Sequence, residues 1–255
     1  MHLILTGATG LVGSGVLDAM IKMKDVTKIS ILSRRPVQHA EDAKDPRINV
    51  IIHKDFEKYD PSVLAQLKGA NGCVWALGKS TMQVTKDEYV KLTKDYALAA
   101  AEAFRGIAPE NEPFNFVFVS GRGVTTEPGR FTPLYARVKG ETEVALAKIR
   151  NENPLMRISS VRPGGVDGTA HEATKPYQPA MPVAYRVLSP LLTPIALLYP
   201  SMHSPTKELG VFLTEMAMGK HNVTAPDNDI QMIGQFPILE NSAFRRMSGL
   251  KSKLF

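Results

Sequence analysis

The amino-acid sequence predicts an α/β domain built on a doubly wound parallel sheet, and three observations support this prediction. Short β-branched runs alternate with longer helical stretches up to about residue 165, a pattern typical of crossover connections between parallel strands. A glycine-rich turn joins the first strand to the first helix. The 255 residues, 44% of them hydrophobic, can bury one full core. We therefore expect a single domain over 1–255, with a cofactor-binding core over about 1–165 and a small C-terminal substrate cap with closing helices over about 166–255.

The individual elements follow from the spacing of apolar and turn-forming residues. Strands are predicted at residues 2–6, 28–33, 48–52, 72–77, 115–120 and 157–163. Helices are predicted at residues 11–23, 61–68, 86–107, 134–151, 206–218 and 240–248. The alternation stops after Pro163, so no later strand is predicted.

The bulk composition narrows the class of partner. The net charge is +6, but the basic residues are spread along the chain, so no nucleic acid is expected. The single cysteine, Cys73, excludes a disulfide framework and favours a reducing compartment. The six histidines are scattered without metal-ligand spacing, so no metal site is predicted. Since no secretory signal is recognised, we expect a cytoplasmic location.

Residues 176–205 form the most apolar segment, which seven prolines interrupt. A membrane span needs a run of about 20 apolar residues, so no transmembrane segment is expected. The favoured interpretation is a loop on the substrate side with short helices. Contact of residues 186–200 with a membrane surface, or with a protein partner, remains an alternative.

The glycine-rich turn has the spacing G-x-x-G-x-x-G between the first strand and the first helix. Such a turn brings backbone amides and a helix N-terminus against a phosphate. The first glycine permits a tight turn, and the later ones permit close approach of the pyrophosphate and the strand. The predicted dinucleotide-binding residues in this turn are Gly7, Thr9, Gly10, Leu11, Val12 and Gly13.

The end of the second strand distinguishes between nicotinamide cofactors. A site selective for NAD has Asp or Glu there to bind the ribose hydroxyls, whereas this chain has Ser33, Arg34 and Arg35. Guanidinium groups can bind a 2′-phosphate through charge-assisted hydrogen bonds. The sequence therefore predicts NADP(H) as the cofactor, and exposed surface arginines are the alternative.

Two further loops follow predicted strands. After the third strand, Asp55 is a candidate for binding the adenine amino group and Phe56 for packing beside the adenine ring. A helix-capping acid is an equal interpretation of Asp55. After the fourth strand, Ala76, Leu77 and Gly78 would pass close to the nicotinamide ribose, although Gly78 also suits an ordinary strand-to-loop glycine.

Tyr135 and Lys139 lie four residues apart on a predicted helix and therefore on one face. A free tyrosine titrates far above neutral pH, but a neighbouring ammonium favours the phenolate. The pair can therefore serve as a general acid and its supporting cation. Lys139 can also bind the nicotinamide ribose.

The segments TGATGLVG, SRRP, DFEKYD, WALGKS, FVFVSGRGV, YARVKGETE and VRPGGV occur in this order. This series resembles the short-chain dehydrogenase/reductase superfamily, and more narrowly its atypical branch of Tat-interacting-protein-like NADPH-binding proteins. The resemblance covers about residues 1–170. It implies Tyr135 as general acid, Lys139 as its partner and a serine near 120 that orients the carbonyl group. It also implies a nicotinamide pocket lined by Arg162, Pro163, Gly164 and Val166.

The chain departs from the family pattern after the fifth strand. The catalytic serine often follows the serine that ends this strand, but here Gly121 follows Ser120. Either Ser120 itself supplies the hydroxyl, or Thr125 or Thr126 substitutes for it.

Three functions are consistent with these residues. The first is an NADPH-dependent reductase of a small carbonyl compound, expected to be apolar because residues 166–205 are apolar. The second is a regulatory protein that binds NADPH without catalysis and contacts a partner. The third is a sugar-nucleotide epimerase, against which the two arginines argue because that reaction needs a tightly held NAD.

Overall fold

The computed structural model describes residues 1–179 and 202–250. Within them, ten strands form two sheets: β1 (His2–Thr6), β2 (Lys28–Ser33), β3 (Ile48–Ile52), β4 (Gly72–Trp75), β5 (Phe114–Val119), β6 (Met156–Arg162), β7 (Gly165–Asp167), β8 (His203–Pro205), β9 (Ile230–Ile233) and β10 (Phe236–Glu240). The main sheet has eight strands in the order β3-β2-β1-β4-β5-β6-β10-β9, and β7 pairs with β8 separately.

The helices cover both faces of the main sheet. Their bounds are α1 (Leu11–Lys22), α2 (Gln38–Ala43), α3 (Pro61–Leu67), α4 (Lys86–Val90), α5 (Tyr96–Ala103), α6 (Leu134–Glu152), α7 (Thr206–Ala217) and α8 (Asn241–Met247). A π-helical turn, Lys91–Asp95, joins α4 to α5, and a 3₁₀ helix spans Glu172–Tyr177. The single helix predicted at 86–107 is thus two α-helical segments around a π turn.

The strand order places the carboxyl ends of β1 and β4 side by side at the point where the winding reverses. Thr6 of β1 lies opposite Leu32 of β2 and Trp75 of β4 in parallel register. All neighbouring pairs from β3 to β10 are parallel, and β9 alone runs antiparallel to its neighbour in this sheet. The predicted Rossmann-type fold is confirmed. In such sheets ligands bind at the reversal point.

The two faces of the sheet bury separate apolar clusters because alternate side chains of each strand point to opposite faces. Leu3 and Leu5 of β1 pack in the cluster that includes α1 and α7, whereas Ile4 packs in the cluster that includes α5 and α6. Cys73 is fully buried in the second cluster, and burial raises the pKa of its thiol. This residue therefore fills the core.

The C-terminal part differs from the prediction. Strands β9 and β10 were not predicted, and they extend the main sheet beyond β6. Helix α7 packs on α1 so closely that a Cβ on Gly210 would overlap the carbonyl oxygen of Gly15. Residues that we assigned to a cap therefore also complete the sheet layers. Strand β10 is short and contains Pro237, which in a sequence argues against an inner strand.

The apolar segment 176–205 is described only in part. Residues 180–201 lie outside the described residues, and with them the predicted membrane-surface or partner contact of 186–200. Among the helices in the described part of the chain, none has both the length and the apolar character to cross a bilayer.

Candidate functional site

A cleft of about 810 Å³ opens at the carboxyl ends of the central strands. Its walls come from the turn before α1, the loops after β4, β5 and β6, and the first turns of α6. The predicted site residues that line it are Gly10, Leu11, Val12, Ala76, Leu77, Gly78, Ser120, Tyr135, Lys139, Pro163, Gly164 and Val166. The fold thus brings the predicted cofactor and catalytic segments to one cavity.

Two of the three turn glycines are required by packing. Gly7 has φ +71°, and a Cβ there would overlap the carbonyl oxygen of Ala76. A Cβ on Gly13 would overlap the carbonyl oxygen of Gly7, so α1 could not approach the turn. Gly7, Gly13 and the half-buried Thr9 therefore shape the turn, while Gly10 reaches the cleft.

The N-terminus of α1 faces the cleft without a cap. Gly10 is its N-cap residue, no side-chain cap bond is made, and the first turn contains no acidic residue. The amides at this end therefore point toward the cavity beside Leu11 and Val12. An uncapped helix N-terminus binds anions. This end fits the pyrophosphate of a dinucleotide.

Ser33, Arg34 and Arg35 lie at the end of β2, away from the cleft. The Ser33 hydroxyl donates to the Arg35 carbonyl at 2.6 Å and accepts from the Arg35 amide at 3.3 Å, so it is used within the loop. Both guanidinium groups belong to exposed residues and contact no hydrogen-bond or ion-pair partner among the described residues. They are free to bind a phosphate.

The predicted role of Phe56 is wrong. Its side chain is fully buried and packs with Trp75 and Tyr96, at ring-centroid distances of 6.0 and 5.7 Å. The ring is therefore part of the core and cannot pack on an adenine. Asp55 is exposed, and its carboxylate accepts from the Glu57 amide at 3.0 Å. Its role in binding adenine stays a prediction.

Tyr135 and Lys139 project from the first two turns of α6 into the cleft. The Lys139 Nζ donates to the carbonyl oxygens of Val119 at 3.0 Å and Ser120 at 2.7 Å, which fixes it at the end of β5. Burial lowers the pKa of Lys139 to about 8, while the charge of Glu143 opposes this shift. Tyr135 remains 39% exposed.

Gly123 lies directly beside the tyrosine. A Cβ on Gly123 would lie 3.0 Å from the Tyr135 hydroxyl oxygen. The absence of a side chain at 123 therefore leaves that hydroxyl accessible from the cleft.

Ser120, Thr125 and Thr126 are the three candidates for the hydroxyl that the sequence left undecided. Ser120 is 5% exposed, it lines the cleft, and its Oγ has no hydrogen-bond partner among the described residues. An unpaired buried hydroxyl is costly unless a ligand uses it. Neither Thr125 nor Thr126 lines the cleft, and the Thr125 hydroxyl accepts from the Glu127 amide at 3.1 Å. The geometry favours Ser120.

Arg162 does not line the cleft, contrary to what the resemblance implies. It is 3% exposed and pairs with Glu143, Nη2 to Oε2 at 2.5 Å, and with Glu240, Nη1 to Oε1 at 2.7 Å. The two carboxylates therefore neutralise the charge of Arg162, and these ion pairs join α6, β6 and β10.

Several lining residues were not predicted. Lys79 directly follows the predicted Gly78 after β4, and Arg122 lies two residues after the predicted Ser120 at the end of β5. The rule that ligands bind outside the carboxyl ends of strands could have found both. Thr93 lies in the π turn, which has no recognisable signal in a helical pattern. The other additions are Ser80, Gln83, Phe118, Val119, Gly121, Gly123, Gly165, Pro179 and Met202.

Within residues 1–179 and 202–250, no three His, Cys, Asp or Glu side chains are grouped as metal ligands would be.

Comparison with known proteins identifies the family, although no family model matches the chain. Leucinostatins biosynthesis cluster protein T of Purpureocillium lilacinum is 32% identical over 258 residues, which cover 93% of this chain and 90% of that protein. The oxidoreductase of the short-chain dehydrogenase/reductase family from Burkholderia thailandensis matches with a TM-score of 0.66 at 13% identity, over 98% of both chains. The chain belongs to the same family as Leucinostatins biosynthesis cluster protein T, and it shares the fold of the short-chain dehydrogenase/reductase structure.

Other relatives cover less of this chain. Botcinic acid biosynthesis cluster B protein 16 of Botryotinia fuckeliana is 40% identical over 60% of this chain and 99% of that protein. Protein fmp52, mitochondrial, of Emericella nidulans is 28% identical over 68% of this chain and 70% of that protein.

Proposed function

We propose that this protein is an NADPH-dependent reductase of a carbonyl compound. The observation that carries the proposal is the single cleft in which the uncapped N-terminus of α1 meets Ser120, Tyr135 and Lys139. A dinucleotide with its pyrophosphate on α1 would extend its nicotinamide toward the loops after β4 and β5, where these three side chains lie. The likeness of its fold to an oxidoreductase of the short-chain dehydrogenase/reductase family supports the same reaction class.

In this mechanism the bound cofactor supplies the hydride that the carbonyl carbon accepts. The Ser120 hydroxyl, which is otherwise unpaired, donates a hydrogen bond to the carbonyl oxygen and polarises it. Tyr135 gives its hydroxyl proton to that oxygen, so the carbonyl becomes an alcohol. Lys139 holds the ribose and supports the proton donor from a position fixed by two backbone carbonyls.

Selectivity for NADPH is tested by changing the two arginines after β2. Arg34→Glu with Arg35→Ala is expected to weaken NADPH binding by about 10²-fold, because charge-assisted hydrogen bonds contribute about 1.5–3 kcal/mol each. The NADH dissociation constant should change by less than about threefold, since NADH has no 2′-phosphate. Fluorescence titration of both cofactors measures this.

Arg130→Ala is the matched control, since Arg130 is also exposed but lies in the loop before α6. It should leave both dissociation constants unchanged. Equal losses of NADPH and NADH in the double variant would contradict the assignment of the 2′-phosphate to this loop.

The pH dependence of NADPH binding tests Lys139. Because burial lowers the pKa of its ammonium to about 8, the charged form is present below this pH and is lost as pH rises through it. A charged donor binds a ribose hydroxyl more strongly than a neutral one. We expect the NADPH dissociation constant to rise about five- to tenfold above pH 8.

Lys139→Met should remove this dependence, whereas Tyr135→Phe should keep it. Titrating both variants with NADPH across the range separates the two side chains. A wild-type dissociation constant that stays flat through pH 8 would exclude a charged contact between Lys139 and the cofactor.

The reductase is distinguished from an NADPH sensor by single-turnover assays on a panel of carbonyl compounds with NADPH bound. Two relatives are named after biosynthesis clusters, so we propose that the substrate is an intermediate of a biosynthetic pathway.

We also propose a cytoplasmic location. Because relatives named fmp52 are called mitochondrial, fractionation against a mitochondrial marker tests that location.

A further inference from the structure

The charged side chains that line the described cleft are all basic. Three basic side chains, Lys79, Arg122 and Lys139, line it, and the described lining residues include no carboxylate. Of the three, Lys139 is bonded to backbone carbonyls. The side chains of Lys79 and Arg122 belong to exposed residues and have no hydrogen-bond or ion-pair partner in the described chain. Their charges are therefore available to a ligand.

The proposed pyrophosphate site does not account for the charge of Arg122, whereas Lys79, which follows the strand next to β1, lies closer to that site. The pyrophosphate site is the N-terminus of α1, which follows β1, whereas Lys79 follows β4 and Arg122 follows β5. Neighbouring strands are about 4.8 Å apart, so the Arg122 loop begins about 10 Å from the end of β1. On this side the cofactor would present its dihydronicotinamide ring, which carries no charge.

The position of Arg122 is fixed by its backbone. The Arg122 amide donates to the Pro163 carbonyl at 2.8 Å, which ties the loop after β5 to the loop after β6. Ser120, two residues earlier, has its unpaired hydroxyl in the same cleft. The guanidinium group is thus carried on a loop that is anchored next to the reacting groups.

Apolar side chains also line the cleft, among them Leu77, Phe118, Val166 and Met202. A fully apolar substrate, as the sequence suggested, would satisfy these side chains and leave the two cations unused. A small polar anion would leave the apolar wall unused. A substrate that combines an apolar body with an anionic end uses both.

We propose that the substrate is an oxo acid with an apolar chain, its carbonyl group at Tyr135 and its carboxylate on Arg122, with Lys79 as a second cation. The planar guanidinium matches a carboxylate through two parallel hydrogen bonds. This inference rests on the proposed reductase function and specifies its substrate class.

The test uses the full chain saturated with NADPH. Short, medium and long straight-chain oxo acids, each paired with its methyl ester, are titrated while the fluorescence of bound NADPH is followed. The ester keeps the carbonyl and the chain but removes the charge, so we expect the best acid to bind at least about tenfold more tightly than its ester. The titrations are made in the Tyr135→Phe background, which should hold NADPH and scarcely reduce, so that the change in fluorescence reports binding and not oxidation of NADPH.

Arg122→Gln should weaken binding of the best acid about ten- to hundredfold, and that of its ester less than about twofold. Its NADPH dissociation constant should not change. Arg130→Gln changes an exposed arginine of the same β5–α6 connection that does not line the cleft. This variant should affect binding of neither acid nor ester.

The outcomes separate the two proposals. Failure to bind NADPH refutes the proposed function, and the substrate class with it. Binding of NADPH without a preference for acid over ester anywhere in the panel refutes the oxo-acid proposal alone. An Arg122→Gln variant that loses acid and ester equally, or that loses NADPH, also refutes it, because Arg122 would then serve the cofactor or the loop.

Discussion

Tyr135→Phe is expected to slow single-turnover carbonyl reduction by about 10²–10⁴-fold, the usual contribution of a positioned general acid. The variant removes one oxygen atom from a side chain that is 39% exposed and lines the cleft, so folding should not be affected. The hydroxyl is kept accessible by Gly123 and lies in the same cavity as the unpaired Ser120 hydroxyl. Without the tyrosine proton, the carbonyl oxygen would develop negative charge with only the hydrogen bond from Ser120 to stabilise it.

The control for this variant is Tyr177→Phe. The Tyr177 hydroxyl donates to Asp42 at 2.9 Å, and the residue does not line the cleft. Both variants should bind NADPH with wild-type affinity, and only Tyr135→Phe should lose the reaction. Retained reduction in Tyr135→Phe would remove Tyr135 from the role of acid and leave Ser120 or a water molecule as the proton donor.

The parts of the fold that the sequence predicts are those with local signals. Strands β1 to β6 and helices α1 and α6 follow from alternation and periodicity, and the glycine turn follows from its position between a strand and a helix. Strand β10 has no such signal, since it contains Pro237 and does not directly follow a helical stretch that would mark a crossover. Its place in the sheet depends on pairing with β6, which is distant in the sequence.

The sequence likewise predicts which loops form the candidate site, but not every side chain that faces it. Residues at the carboxyl ends of strands meet in the cleft because parallel strands place those ends together. Tertiary packing decides which of two adjacent side chains is exposed to a ligand. Here Asp55 is exposed, while Phe56 belongs to the core. Thr93 reaches the cleft from a π turn, and a helical pattern does not predict that irregularity.

Arg162 shows most clearly what sequence reasoning lacks. Family resemblance assigns it to the nicotinamide pocket, yet its side chain pairs with a carboxylate 19 residues earlier and another 78 residues later. Glu143 is fully buried, and its Oε1 also accepts from the Ser160 hydroxyl at 2.7 Å. This buried network fixes α6, which carries Tyr135 and Lys139, against the strand that leads into Pro163.

Glu143→Gln is therefore expected to lower the free energy of unfolding by about 3–5 kcal/mol, because it leaves a buried guanidinium without its main counter-charge. Glu141→Gln is the matched control on the same helix. Its ion pair with Lys94, at 3.2 Å, is substantially exposed, so its loss should cost no more than about 1 kcal/mol. Urea unfolding of both variants measures the difference.

Equal losses in the two variants would mean that Glu240 alone neutralises Arg162 and that the Glu143 pair adds little. If only Glu143→Gln loses a large part of the free energy of unfolding, the Glu143–Arg162 pair holds α6 in place and Arg162 has a structural role. The NADPH affinity of the variant at low urea then distinguishes a structural role of this ion pair from direct contact with the cofactor. A folded Glu143→Gln protein should still bind the cofactor, since neither Glu143 nor Arg162 lines the cleft.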